Sequence, residues 1–118
     1  MILKDSDKWA DLHIHTRKSD GTNTVEEVFQ RAKESGLEAI AITDHDTVAG
    51  VPEGIEMSKK YGVKFVPGIE LSAIHNNKEI HIVALFVDWK NQEFVRKLTY
   101  FQKKRTERAK KIISKLKE

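Results

Sequence analysis

The 118-residue sequence alternates short apolar runs with helical patterns that carry their own start and stop signals, and this order narrows the fold more than any other feature. "WADLHIH" (9–15), "LEAIAIT" (37–43) and "VKFV" (63–66) read as strands, and "EIHIVALFV" (79–87) as another, nearly all apolar. After the first run, Thr24 and Glu27 make a Thr-x-x-Glu capping box. Val25, Val28, Phe29 and Ala32 follow at helical spacing, and Gly36 fits the position that ends the helix. Pro52 opens a second helix reaching about Tyr61, with Gly62 as its stop. "HNNK" (75–78) is a turn signal, and His75 reads as an ordinary turn residue. Strands that are apolar on both faces and alternate with helices predict an α/β fold, a parallel sheet with flanking helices.

In such sheets, sites form in the loops beyond the C-terminal ends of strands. The unusual residues gather there: His15 to Asp20 after the first strand, Asp44 to Asp46 after the second, Glu70 after the third. On a strand, positions i and i+2 face the same side, so His13 and His15 project together. That geometry suits two imidazoles on one metal or on neighbouring metals, although an incidental surface pair has the same spacing. Asp11 shares the face and can orient a ring nitrogen from behind the ligands, a supporting role also assigned to Asp44. His45 lies between two carboxylates in "TDHD"; a capping loop explains Asp46 easily and Asp44 less easily. Glu70 follows "VPG", where a solvated carboxylate is the ordinary alternative. His81 sits inside an apolar run, and burying an imidazole there is costly unless it is hydrogen-bonded or coordinated. Arg17 and Lys18, beside the ligands, either neutralise phosphate or are solvated loop charges.

Cysteine is absent, which excludes disulfides and thiolate metal sites and leaves His and carboxylate as the strong ligand types. A mixed set of that kind suits Mn, Fe or Zn. Taken jointly, His13, His15, Asp20, His45, Glu70 and His81 favour a multinuclear hydrolytic metal site. No apolar run approaches the roughly 18 to 20 residues that span a bilayer, so no membrane association is expected. The first residues lack a secretory pattern, and a cytoplasmic setting is expected.

Charge divides the chain. Residues 91–118 hold ten Lys or Arg and three Glu, a balance of +7, whereas residues 1–90 hold eleven basic and fifteen acidic residues, a balance of −4. The expected organisation is a metal-binding α/β domain over 1–90 and a long basic amphipathic helix over 91–118. Phe94, Val95, Leu98 and Phe101 form one apolar stripe of that helix, and Ala109, Ile112, Ile113 and Leu116 another. Between them "QKKRTER" (102–108) has no large apolar residue. Such a helix either tracks nucleic-acid phosphates or presents a plain solvated face.

"DLHIHTRKSDG", "ITDHDTVAG", "PGIE" and "EIHIV" resemble, in order and spacing, the first motifs of the PHP (polymerase and histidinol phosphatase) family, over roughly residues 10–88. Within the family the chain looks most like the stand-alone phosphoesterases acting on nucleotides and short oligonucleotides. The resemblance implies the N-terminal portion of a distorted (β/α)7 barrel and a metal-dependent hydrolase working through a hydroxide that bridges two or three divalent ions. It implies that His13, His15 and Glu70 hold one metal, that Glu70 bridges to a second also bound by His81, and that Asp20 and His45 hold a third. No protein acid is assigned. A metal-binding or proofreading module of a DNA polymerase is the alternative. The family pattern continues with a further lone His and an Asp-x-His motif, whereas no histidine follows His81. The shell is therefore expected to be completed by the missing part of a longer barrel or by a partner copy; an inactive, self-associating fragment is the remaining reading.

Overall fold

The computed structural model describes residues 1–5 and 7–117. It is an α/β structure whose five strands form one mixed sheet, in the order β1-β2-β3-β4-β5, that curls into an open half-barrel. The strands are β1 (Ile2–Asp5), β2 (Lys8–Ile14), β3 (Ala39–Ile42), β4 (Lys64–His75) and β5 (Lys78–Leu85). The helices are α1 (Val25–Glu34), α2 (Val51–Tyr61) and α3 (Gln92–Lys117). The chain divides into two compact units, residues 1–87 and residues 88–118.

The predicted helix boundaries follow from local chemistry. Thr24 caps α1, its hydroxyl accepting the Glu27 N–H at 3.1 Å, and Gly36 takes a left-handed conformation just past the end. Pro52 lies in the first turn of α2, where its missing N–H costs nothing, and Gly62 stops the helix at φ +68°. Val25, Val28, Phe29 and Ala32 turn inward from α1 onto Ile40, Ile42 and Val63. Full burial of a side chain such as Phe29 or Ile40 stabilises by about 1.5–3 kcal/mol. Lys60 and Tyr61 at the end of α2 both bond the Glu26 carboxylate, tying α2 to the start of α1.

The central three strands are parallel as expected, with Ala10 opposite Ala39 and Ile40 opposite Phe65. The edges are not. β1, which the sequence pattern does not announce, pairs antiparallel with β2, and β5 pairs antiparallel with β4. The Asn76–Asn77 turn, with φ of 50° and 61°, makes the second of these a hairpin.

β4 also runs nine residues beyond the expected "VKFV". Pro-Gly does not break it because these residues mark a change of partner. Pro67 is the last residue of β4 paired with β3, and Gly68 the first paired with β5. A Cβ on Gly68 would stand 2.9 Å from the Thr43 side chain and 3.2 Å from the Ala84 carbonyl oxygen, so the crossing point accepts only glycine.

The second unit is built on α3, a helix of 26 residues. The Asn91 side chain caps it, accepting the Phe94 N–H at 2.9 Å. No helix among the described residues is long and apolar enough to cross a membrane.

Candidate metal centre

β2 delivers His13 near its C-terminal end, and His15 follows one residue past the strand. The two ring nitrogens Nε2 face each other at 3.2 Å. The chain then folds into a tight loop in which the Thr16 carbonyl accepts the N–H groups of Ser19 and Gly21 at 3.0 and 2.9 Å. This loop places Asp20 Oδ1 3.4 Å from His15 Nδ1. Glycine is obligatory at position 21, since a Cβ there would sit 2.4 Å from the His15 carbonyl oxygen.

His45 follows β3 and pairs with Glu70 in an isolated parallel bridge. That bridge is secured from both sides, by the Glu70 N–H to the Asp44 carbonyl at 3.1 Å and by the Asp46 N–H to the Glu70 carbonyl at 3.0 Å. Glu70 does not terminate its strand, contrary to the expectation. It lies within β4, just past the Pro67–Gly68 switch, and is 6% exposed. Its two oxygens gather four imidazoles: His15 Nε2 at 3.0 Å, His45 Nδ1 at 3.3 Å, His13 Nε2 at 3.4 Å and His81 Nδ1 at 3.8 Å. Asp20 Oδ2 meets His45 Nε2 at 3.3 Å. All six candidate ligands of the sequence analysis thus come together. His75, which the sequence left out, flanks the exposed hairpin turn instead.

His81 corrects the expectation attached to it. β5 is an exposed strand at the end of the sheet, and the His81 side chain is 43% accessible rather than buried among apolar neighbours. Its Nε2 lies 3.2 Å from Glu79, two residues earlier on the same strand face. Glu79 escaped the sequence reading, although the Glu-x-His spacing was its signal.

The supporting residues act differently from one another. Asp11 does not reach a ring nitrogen: its carboxylate accepts the backbone N–H of His13 at 3.2 Å and lies 3.6 Å from the Met1 amino group. Asp44 is 1% exposed and braces the ligand loop. It accepts the Thr16 N–H and hydroxyl, each at 2.6 Å, and the Ser19 hydroxyl at 2.8 Å. Asp46, missed as a supporting residue, is buried at φ +52° and accepts the Ser72 N–H at 2.9 Å. It therefore fixes the His45 segment against β4. Arg17 and Lys18 are exposed and line a cavity of about 190 Å³ with Thr16, Thr24, Val25 and Glu53. None of the six candidate ligands lines that cavity, and Arg17 Nε donates to the Thr22 carbonyl at 2.7 Å.

The donor set fits divalent metals on two grounds. His15 Nδ1 is buried and makes no hydrogen bond, Asp20 Oδ1 standing off at 3.4 Å, a costly state that coordination relieves. In addition, three groups each bring their donor atoms within 4.8 Å of one another: His13, His15 and Glu70; His15, Asp20 and His45; His45, Glu70 and His81. Glu70 belongs to two groups, as do His15 and His45, so neighbouring ions would share ligands.

Clustered imidazoles and carboxylates on a curled α/β sheet make a candidate site for more than one divalent ion. The chain belongs to the PHP domain family, whose model matches residues 11–117. It is 38% identical to the 5'-3' exoribonuclease Rnm of Escherichia coli over 108 residues, covering 90% of this chain and 37% of that protein. It is 34% identical to the 3',5'-nucleoside bisphosphate phosphatase of Chromobacterium violaceum, covering 86% of this chain and 36% of the relative. A crystal structure described as a metal-dependent phosphoesterase from Bifidobacterium adolescentis superimposes with a TM-score of 0.84 at 33% identity, over 91% of this chain and 37% of that one. A PolC-type DNA polymerase III from Caldanaerobacter subterraneus is 46% identical over 66 residues, 54% of this chain and 5% of the polymerase. The chain spans little more than a third of the length of the phosphoesterase relatives.

Proposed function

We propose that this domain is the metal-binding N-terminal part of a phosphoesterase that hydrolyses phosphate esters of nucleotides or short oligonucleotides. The observation that carries the proposal is the convergence of four imidazoles on one buried carboxylate, beside a buried ring nitrogen without a hydrogen bond. His13, His15 and Glu70 would hold one ion, Glu70 and His81 with His45 a second, and Asp20 and His45 with His15 a third. Divalent Mn, Fe or Zn bound there would supply Lewis acidity and lower the pKa of a bound water. Glu70, which belongs to two of the groups, would be shared between two positions, and the imidazoles would supply ring nitrogens as the other donors. Asp44 and Asp46 hold the two ligand loops still, so that little reorganisation accompanies binding. Arg17 and Lys18 follow the ligand His15 closely in the chain and are the candidates for neutralising phosphate, although the cavity they line contains none of the six ligands.

The polymerase-module reading is less well supported. The exoribonuclease match covers 90% of this chain and the polymerase match 54%. Under the favoured reading the ligand shell, open at exposed His81, is completed by polypeptide alongside β5: the remainder of a longer barrel or a second copy. A cytoplasmic setting suits a chain without cysteine.

Metal analysis of the purified chain, coupled to a phosphatase assay on a nucleoside bisphosphate with added Mn, tests the proposal. Two or three equivalents of tightly held metal are expected, falling in Glu70→Gln, which removes the shared carboxylate. Phosphate release by the completed barrel is expected to depend on the same residue. A chain that takes up no metal would overturn the assignment.

A further inference from the structure

The proposed hydrolytic site makes no use of α3, yet this helix carries the strongest charge in the molecule. Arg96, Lys103, Lys110 and Lys117 recur every seven residues, all exposed. At 1.5 Å per residue they stand about 10.5 Å apart, and each drifts only about 20° around the axis from the last. Four cations therefore form one gently winding line. None of the four has a carboxylate partner among the described residues. A second line, Lys97, Lys104 and Lys111, runs beside it at the same seven-residue spacing. Its first two members are already paired, Lys97 with Glu93 at 3.5 Å and Lys104 with Glu107 at 3.6 Å.

An aromatic side chain lies between the two lines. Tyr100 is 57% exposed, with the Lys104 ammonium 5.6 Å from its ring centre. On the helical wheel Tyr100 falls among the cations, away from the Leu98, Ala109 and Leu116 stripe. A helix made for a lipid surface keeps its aromatics on the apolar side. An aromatic set among evenly spaced, unpaired cations instead matches the two needs of a single-stranded nucleic acid: charge for the phosphates and a plane for a base.

We propose that the Arg96–Lys103–Lys110–Lys117 face of α3 binds the backbone of single-stranded nucleic acid, with Tyr100 as a stacking platform. The inference rests on the nucleotide-directed reading of the metal site for its choice of partner. It uses none of that site's residues.

The test is the affinity of the full chain for a labelled single-stranded RNA of roughly a dozen nucleotides, measured with chelator present so that no metal bridges the two. Four phosphate contacts predict a slope of log affinity against log salt of about −2.8, hence a loss of roughly 50-fold between about 50 and 200 mM salt. The double variant Lys103→Gln with Lys110→Gln is expected to halve the slope to about −1.4, leaving a loss of roughly sevenfold over the same range. Lys97→Gln with Lys104→Gln changes the slope less, because those cations are already neutralised, and Tyr100→Ala weakens binding without altering the slope. Helix content by circular dichroism and metal uptake are expected to match the parent in all of these. Binding indifferent to salt, or unchanged in the Lys103/Lys110 variant, overturns the proposal. So does capture by phosphatidylserine vesicles with no RNA binding. Absence of metal uptake with RNA binding intact would instead strike the hydrolytic reading alone.

Discussion

Asp44 grips Thr16 twice, accepting its backbone N–H and its hydroxyl, each at 2.6 Å. Thr16 directly follows His15, and Asp44 directly precedes His45. One buried carboxylate therefore couples two ligand-bearing loops that are far apart in sequence.

Asp44→Asn keeps the shape but removes the charge and leaves an NH2 that can only donate where a carboxylate oxygen accepted. Losing a charge-assisted buried bond of this kind costs about 1.5–3 kcal/mol. The expected result is an earlier urea midpoint together with metal affinity lowered about 10- to 100-fold, the usual effect of removing a group that orients ligands. Titration calorimetry on the folded variant separates the two effects. Unchanged metal affinity would show that the brace serves folding alone.

Gly21→Ala tests the loop from its other end. The added methyl would lie 2.4 Å from the His15 carbonyl oxygen and 2.7 Å from the Thr16 nitrogen, so the loop backbone must move. An overpacking cost of about 1–3 kcal/mol is expected, with metal lost first from the His15, Asp20 and His45 group. Gly36→Ala is the control. It strains a left-handed position that has nothing within 4 Å, so it lowers stability by about 1–2 kcal/mol and leaves metal stoichiometry intact. Equal metal loss in both variants would contradict this account of Gly21.

The cluster of candidate ligands was legible in the sequence and its surroundings much less so. Strand periodicity placed His13 and His15 on one side, and the alternation of strands and helices put Asp20 and His45 in neighbouring loops. Thr24 at the start of α1, Pro52 at the start of α2 and the stop glycines Gly36 and Gly62 marked the helix ends because those signals are local. What the sequence hid was non-local. β1 is exposed along its length and too short to show a pattern, and its pairing depends wholly on β2. Pro67–Gly68 looked like a break because the rule about proline concerns one ladder, whereas here the strand changes ladders. His81 looked buried because an apolar run reads as a core strand even when its neighbours are lacking. Asp46 was passed over because a buried aspartate and a loop-capping aspartate have the same sequence signature.

Acid stability should register the contact between α1 and α2. The Lys60 ammonium holds the Glu26 carboxyl below the ordinary carboxylate range, and the Tyr61 hydroxyl adds to the effect. A carboxyl depressed by folding stabilises above its unfolded pKa of 4.5, and that contribution is lost as pH falls through the folded value. The Glu26→Gln variant should therefore unfold at lower urea than the parent at pH 7, and the gap should close progressively below about pH 4.5. The effect is small, because the pair is exposed to solvent. A gap that widened in acid would reverse the assigned sign.

β5 ends the sheet, and its outer edge pairs with no other described strand. The face turned away from Glu70 and His81 carries Ile80 at 42% and Ile82 at 49% exposure, and Phe86 beyond the strand is 77% exposed. Unpaired backbone donors and acceptors beside exposed isoleucines make a template for another strand. The isolated chain is therefore expected to self-associate at micromolar concentration. Ile82→Lys should shift sedimentation velocity towards monomer, because a lysine on an edge strand opposes pairing. The substitution points away from His81 and Glu70, since Ile82 is paired with Leu71 on the opposite face, so it touches no candidate ligand, and a fall in metal uptake on monomerisation would mark a second copy as the source of missing ligands. A parent chain that sediments as a stable monomer would show that the edge is not adhesive in solution. Association that Ile82→Lys leaves untouched would place the contact elsewhere in the chain.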